Sequence, residues 1–379
     1  MRVLFLRSNP VNPDSRVEKE VETLIKNGYK VDIFCWDRNK NYPTRKENKK
    51  LFTTNCNIYR VGIQAEFGAG FKKNILPLLQ FQFEIIKFLK KNKSKYSIIH
   101  ACDFDTGLSS YCFKKNSKFI YDVFDYYADS FSVPKFLKNI IYKIEDYICN
   151  HADILILCNE DRINQIHKLK QNNICVIHNS PMKLRIHEFG YEFSNNIKIA
   201  YIGILGETRM IKDLIHIVNK FSFLELHIAG FGPLENYIKN ASLKNERIIF
   251  YGKIPYEETL YIEKNCDIIP AIYDPNIRNH IFAAPNKFYE SLFLGKPTIM
   301  INGTGMSKVV KDKQTGLVIQ YNEMSLEKAI LDISKNIDYW RKKQKEIKLI
   351  YDKYYSWEIM MHRLLSTYDQ LFSRRSINK

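Results

Sequence analysis

Short apolar runs alternate with amphipathic helical patterns along almost the whole chain, which restricts it to folds built on parallel sheets covered on both faces. Candidate strands of a first array fall at residues 3–6, 31–35, 58–61, 98–101, 119–122, 154–158 and 175–177. Ser15 followed by Glu18 predicts a capping box at the start of the first helix, which ends at Asn27 and Gly28. A polar stretch over 182–196 separates this array from a second, with strands at 197–203, 224–229, 248–251, 267–270, 298–301 and 317–319. The region from Ser325 to about Phe372 reads as helical, with a break at Tyr355-Ser356-Trp357-Glu358.

At 379 residues the chain exceeds the roughly 250–300 at which single cores stop growing, so two domains are expected. The boundaries read as 1–182 and 195–355, with 356–379 left over after the break. No apolar run approaches the roughly 20 residues needed to span a bilayer, and the opening run Met1–Leu6 is too short for a signal peptide. The eight cysteines are scattered through apolar runs without Cys-x-x-Cys spacing, as in a cytoplasmic protein with reduced core thiols. The histidines have no metal-ligand spacing either, and no catalytic metal is expected.

The net charge of +17 favours phosphate, anionic lipid or nucleic acid as a partner. Over 71–95 lysines alternate with Phe81, Phe83, Ile85, Ile86, Phe88 and Leu89 at a helical period. That pattern fits a crossover helix packed on a sheet or a helix that also docks on an anionic membrane, with Lys87, Lys90, Lys91 and Lys93 as the lipid contacts. It supplies no stacking platform, and no nucleic-acid partner is expected.

The segment with most chemical content runs from Cys266 to Pro297. An apolar run leads through a polar loop into Ala284-Pro285-Asn286-Lys287-Phe288-Tyr289-Glu290, then Gly295-Lys296-Pro297 returns the chain to another apolar run. Pro285 at a first helical position aims unpaired N–H groups at the loop, where a phosphate would sit, and Lys287 adds positive charge. Glu290, one turn on from Asn286, would then reach sugar hydroxyls, which suits a nucleotide sugar. Upstream, Gly203-Ile204-Leu205-Gly206-Glu207-Thr208-Arg209 follows a strand, so that the backbone approaches a ligand and Arg209 clamps a phosphate, unless it pairs with Asp213 instead. Gly230-Phe231-Gly232-Pro233 makes a tight turn, but Glu235 stands where a dinucleotide fingerprint needs its third glycine.

These segments resemble the donor-binding motifs of retaining GT-B glycosyltransferases of family four (glycosyl transferases group 1). The resemblance runs nearly the length of the chain, through Asp14-Ser15-Arg16-Val17, the His100 cluster and Asn179-Ser180-Pro181. It implies two doubly wound, Rossmann-like domains facing a cleft, with the last helix crossing back to the first domain and Trp357 at the crossing. It further implies a donor site in the second domain, in which Glu290 holds the nucleotide ribose and the Gly230 turn lines the pocket. Departures occur at Ile204, Phe282 and Phe124, where the family usually has Arg, Glu and His.

Implied by the same resemblance is transfer of a sugar, with retention, from a UDP- or GDP-linked donor to an acceptor sugar or lipid-linked glycan in cell-surface polysaccharide or glycolipid assembly. Arg209, Lys287, Glu290 and Asp125 are the candidate catalytic residues, and Gly203, Gly206, Gly230, Gly232, Pro285 and Asn286 the candidate donor contacts. Asp14, Arg16, Asp103 and Asp105 are placed on the acceptor side. Caps remain the other reading of Asp103 and Asp125, and a surface charge that of Arg16. The enzyme would need no metal and no cofactor, and would work in the cytoplasm or on the inner face of the membrane. A nucleotide-sugar epimerase and a non-catalytic sugar-nucleotide-binding protein are the alternatives.

Overall fold

The computed structural model describes residues 1–42, 46–66, 70–130, 133–183 and 187–373, without the side chains of 70–72 and 373. Phe71 and Lys72 of the basic segment, and 374–379 of the expected last segment, therefore lie outside the described side chains or residues. The chain forms two compact units, Met1–His178 with Met360–Lys379, and Asn179–Ile359.

In the first unit the strands are β1 (Arg2–Arg7), β2 (Lys30–Asp37), β3 (Lys46–Leu51), β4 (Thr54–Gly62), β5 (Ile98–Cys102), β6 (Lys118–Val123), β7 (Ile154–Leu157) and β8 (Ile174–Val176). Between them run α1 (Ser15–Lys26), α2 (Gly70–Lys91), α3 (Phe104–Phe113), α4 (Tyr127–Ser130) and α5 (Lys135–His151). The sheet order is β3-β4-β2-β1-β5-β6-β7-β8, parallel except for β3. Strand β3 escapes the sequence reading because its residues, Lys46-Glu47-Asn48-Lys49-Lys50-Leu51, are polar on both faces. Only Leu51 is buried, as an edge strand permits.

Side-chain alternation sorts the helices onto two faces. Leu4, Leu6, Phe34 and Trp36 of the sheet pack with Phe81 and Ile85 of α2 and Ile141 and Ile148 of α5. On the other face Phe5 stacks on His100, with ring centroids 4.1 Å apart. Here the sequence-expected capping box is corrected: the cap of α1 is Asp14, whose carboxylate accepts from Val17 N, and not Ser15. The shift follows from chemistry, since an aspartate already fixed by Arg7 and Asn9 is the better acceptor.

The second unit holds β9 (Ile197–Ile204), β10 (Leu224–Phe231), β11 (Ile248–Phe250), β12 (Ile269–Ala271), β13 (Thr298–Ile301) and β14 (Gly316–Ile319). Its helices are α6 (Ile211–Lys220), α7 (Glu235–Lys244), α8 (Tyr256–Asn265), α9 (Arg278–Ile281), α10 (Asn286–Leu294), α11 (Ser307–Lys313), α12 (Glu323–Lys335) and α13 (Ile337–Ile350). Two three-stranded parallel sheets, β11-β10-β9 and β12-β13-β14, meet through a parallel bridge between Ile199 and Ile268. Counted within the unit this is the doubly wound order 3-2-1-4-5-6. The order reverses between β9 and β12, so ligand chemistry belongs at the carboxyl ends of those two strands.

After a π-helical turn at Tyr351–Tyr355 and an extended Ser356, α14 (Trp357–Ser373) begins in the second unit with buried Trp357 and passes into the first at Met360. Its Tyr368 hydroxyl lies 2.7 Å from His100 Nδ1. Around that contact the first unit buries Arg16, Glu20 and Asp122. Arg16 is bidentate on Asp122 and 3.2 Å from Glu20. Burial, then the charge of Asp122, pushes the Glu20 carboxyl up to about 8 from its ordinary 4.5, against the pull of Arg16.

The raised carboxyl makes stability pH-dependent. Between about 4.5 and 8 the native Glu20 holds a proton that the unfolded chain lacks, so unfolding releases it and stability falls as pH rises through this window. Glu20→Gln, a neutral isostere, is expected to gain thermal stability relative to the parent as pH is raised from about 5.5 to about 8.5. Melting curves of both chains across that range test this, and a constant difference in Tm contradicts it.

Candidate functional site

Two glycines bring adjacent turns together at the carboxyl ends of β9 and β10. Gly203 and Gly230 pair across the strands with φ of +148° and +136°. A Cβ on Gly230 would lie 1.8 Å from Gly203 O, and one on Gly203 would lie 2.7 Å from Lys287 Nζ. Only bare backbone permits this approach. Gly232 continues the second turn against Leu205, whereas Gly206 is extended (φ −114°), and a Cβ there would meet only Ile204 Cγ2, at 4.0 Å.

Arg209 closes a short 3₁₀ turn after β9 and reaches to the loop that follows β12. Its guanidinium carbon stands 3.7 Å from the centre of the Tyr273 ring, and Nη1 lies 3.4 Å from Ile272 O. The alternative pairing with Asp213 is absent among the described residues. Arg209 thus ties together the loops on either side of the point where strand order reverses.

Helix α10 enters the same place. Pro285 is its N-cap, not its first helical residue as the sequence suggested, with φ −67° and ψ 129°. Proline is equally suited there because the N–H it lacks is one the helix has no use for. The amides of Asn286 and Lys287 belong to the first turn, whose N–H groups have no carbonyl of the same helix to bond. The preceding residue is pinned by Asn179, whose side-chain amide donates to Ala284 O at 2.8 Å.

Asn286 is exposed, and Lys287 is half-buried with Nζ 4.6 Å from the centre of the Tyr201 ring. Desolvation pushes the Lys287 ammonium down to about 8, with Arg209 adding to the shift and Glu290 and Glu263 opposing it. Glu290 is buried and bonded by the Tyr256 hydroxyl. Glu263 of α8 is fully buried, and neither of its oxygens has a hydrogen-bond partner among the described residues. Burial first, and then Glu290, pushes its carboxyl well above the ordinary range.

The second unit therefore gathers Arg209, Lys287, Glu290 and Gly203 around one turn, two cations facing a pair of buried carboxyls. Three contributors were missed in the sequence. Tyr201 and Tyr273 look like ordinary core and loop aromatics. Glu263 sits in a helix already rich in Glu257 and Glu258, where nothing marks one carboxylate as buried. Ile204 is 46 % exposed at the end of β9, and Phe282 caps α9.

The first-unit candidates form a separate ionic network. Arg7 bridges Asp14, at 2.8 Å, and Asp103. Asp103, at φ +64°, precedes α3 and accepts from the amides of Phe124 and Asp125 without capping the helix through its side chain. Its carboxyl is raised to about 6 by burial, against the pull of Arg7. Asp105 is buried beside Arg38, and burial raises it as well.

Asp125 is the most accessible of the set, 57 % exposed and 3.6 Å from Arg162. The Phe124 ring lies under two guanidiniums, with Arg7 at 4.1 Å and Arg16 at 4.8 Å. A histidine in its place would be held neutral by those charges. Arg16 is 5 % exposed and committed to Asp122 and Ile177 O. His100, Cys102 and Asp122 could present three ligand atoms within 4.8 Å of one another, but both Asp122 oxygens already receive Arg16.

Comparison with known proteins finds a family match over part of the chain. Residues 183–348 match the family described as Glycosyl transferases group 1. Sucrose-phosphate synthase from Thermosynechococcus elongatus superposes with a TM-score of 0.76 at 16 % identity, over 99 % of this chain and 100 % of that one. Anabaena HepE in complex with UDP-glucose gives 0.66 at 12 % identity, over 98 % and 100 %. A mutant TarM of S. aureus in complex with fondaparinux, alpha-GlcNAc-glycerol and UDP gives 0.62 at 13 %, over 97 % and 99 %. At these identities the likeness is one of fold, the two-unit GT-B architecture. No curated protein matches the sequence.

Gly203→Ala tests the close approach at the turn. The strained φ is expected to cost about 1–3 kcal/mol, while the flexible end of Lys287 can move away from the added Cβ. Urea unfolding measures this, and the matching change at the open Gly206 should cost less than half as much.

Proposed function

From the match of residues 183–348 to the Glycosyl transferases group 1 family, we propose that the second unit binds a nucleoside-diphosphate sugar and that the enzyme transfers the sugar, with retention, to an acceptor hydroxyl. The observation that supports this most is the meeting of Arg209, Lys287 and the first turn of α10 beside the Gly203 turn, with Glu290 buried one turn further along. In this reading the diphosphate lies between Arg209, the Lys287 ammonium and the amides of Asn286 and Lys287. The ribose hydroxyls donate to Glu290. The lack of a Cβ at Gly203 and Gly230 leaves the backbone free to approach the phosphates.

Chemically, the bond from the anomeric carbon to the phosphate oxygen breaks as the acceptor oxygen bonds to the same carbon. The carbon gains positive charge and the leaving diphosphate negative charge. Arg209 and Lys287 meet the second change as fixed cations in a partly desolvated site, where they act more strongly than in water. The acceptor proton passes to the departing phosphate oxygen, which lies on the face from which retention requires attack. Chain cations thus take the part a metal would play, and transfer is expected to be unaffected by EDTA. The acceptor belongs to the first unit, near Asp14, Asp103, Asp105 and the exposed Asp125, as a surface glycan or its lipid-linked precursor. UDP and GDP are both compatible with these contacts.

Transfer from a panel of radiolabelled nucleotide sugars tests the reading. Arg209→Ala is expected to lower kcat by about 10²-fold or more, as for the loss of one preorganised electrostatic group. Glu290→Ala is expected mainly to raise the donor KM. Binding of the free nucleotide should weaken as pH rises through about 8, because Lys287 is charged below that value and neutral above it. Lys287→Arg should flatten this dependence. Full turnover by both alanine variants contradicts the site, and donor binding without turnover by the parent favours a non-catalytic sugar-nucleotide-binding protein.

A further inference from the structure

Besides Tyr147 near the end of α5, five large apolar side chains stand in solvent on two helices of the first unit. On α2, Leu76 is 68 % exposed, Leu79 57 % and Phe83 63 %; on α5, Phe136 is 73 % exposed and Ile140 51 %. Their spacings are helical, three and four residues, so each set forms a ridge along its helix. Opposite the ridges, Phe81 and Ile85 of α2 and Ile141 and Ile148 of α5 are buried in the same core cluster. Both helices therefore lie on one face of the sheet, and α3 packs against each of them.

Position along the sheet is fixed by connectivity. Helices α2 and α5 are crossovers between parallel strands and so begin at the carboxyl edge. All five residues fall in the first two-thirds of their helices, so both ridges lie toward the edge that carries Asp103, Asp105 and Asp125. The exposed charge around them is mostly basic, with Glu66 paired to Lys73 at the start of α2 and Asp125 exposed at the same edge. On α2 the ridge continues into exposed Lys87, Lys90 and Lys91, and on α5 the apolar residues stand among exposed Lys135 and Lys143. Glu84, 3.8 Å from Lys87, is the one acid on α2. Of the two acids on α5, Glu145 is fully buried and Asp146 is half-buried, accepting from the Tyr126 hydroxyl.

We infer that this face docks on the surface of an anionic bilayer, with the apolar ridges of α2 and α5 entering the acyl boundary and the lysines meeting lipid phosphates. Scattered exposed leucines need no partner, but two ridges on the helices that flank α3, each set among exposed lysines, match an interfacial surface. No helix among the described residues is long and apolar enough to cross the membrane, so contact is with one leaflet. The inference moves the membrane contact expected from the sequence. The lysines of α2 hold the phosphates, while the insertion comes from apolar residues nearer the start of α2 and from α5, a helix the sequence reading did not implicate. It stands independently of the sugar-transfer reading.

Flotation of the full chain with phosphatidylcholine vesicles, with and without phosphatidylglycerol, tests it. The parent should float with the mixed vesicles and stay down with phosphatidylcholine alone. Combined Leu76→Ser, Leu79→Ser and Phe83→Ser should cut partitioning at least about tenfold, since three large side chains no longer leave water on docking. Phe136→Ser with Ile140→Ser should act in the same direction. Lys87→Glu with Lys90→Glu and Lys91→Glu should abolish binding even at low salt, because attraction to the anionic surface becomes repulsion. All of these positions are exposed, so melting temperatures should stay at the parent value. A parent that does not float, variants that float equally, or a ridge whose loss dissolves a dimer of this chain without changing flotation would overturn the inference.

Discussion

Everything proposed for the second unit depends on the place where its strand order reverses. There β9 and β12 send their following loops apart, and Arg209 spans the gap by lying on the Tyr273 ring and reaching Ile272 O. A sheet with this order opens a crevice only at that point. Gly203 and Gly230 then let two turns approach so closely that Lys287 rests where a side chain would otherwise be. The meeting of these residues is thus a consequence of topology first and of residue chemistry second.

The chemistry is a concentration of unlike charges in a partly dry place. Desolvation brings the Lys287 ammonium down to about 8, and burial beside Glu290 favours the protonated form of Glu263. An incoming diphosphate would favour the charged ammonium, so ligand and proton would bind together. In the first unit the same principle serves stability instead. Arg16, Asp122, Glu20 and His100 form a buried network that receives Tyr368 of the last helix and so anchors the returning chain.

Much of this architecture could be read from the sequence because buried parallel strands are continuous apolar runs and glycines mark the turns between them. Edge strand β3 could not, since Lys46 to Leu51 carries no apolar alternation. Local motifs singled out Arg209, Lys287 and Glu290, which the fold then places around one turn, because the segments that follow strands carry recognisable glycine, proline and charge spacing. Glu263 was invisible: its burial comes from packing between α8 and α10, which no single-helix pattern reports. Arg16 illustrates the opposite failure. Its place in a loop-to-helix junction suggested an acceptor contact, whereas tertiary packing commits it to Asp122, two strands away.

The most direct measurement is a crystal structure of the full chain with bound UDP or GDP. The account requires the diphosphate within hydrogen-bond distance of Arg209, Lys287 and the first amides of α10, with the ribose hydroxyls on Glu290. A nucleotide bound elsewhere, or one whose phosphates face away from Arg209 and Lys287, would contradict it.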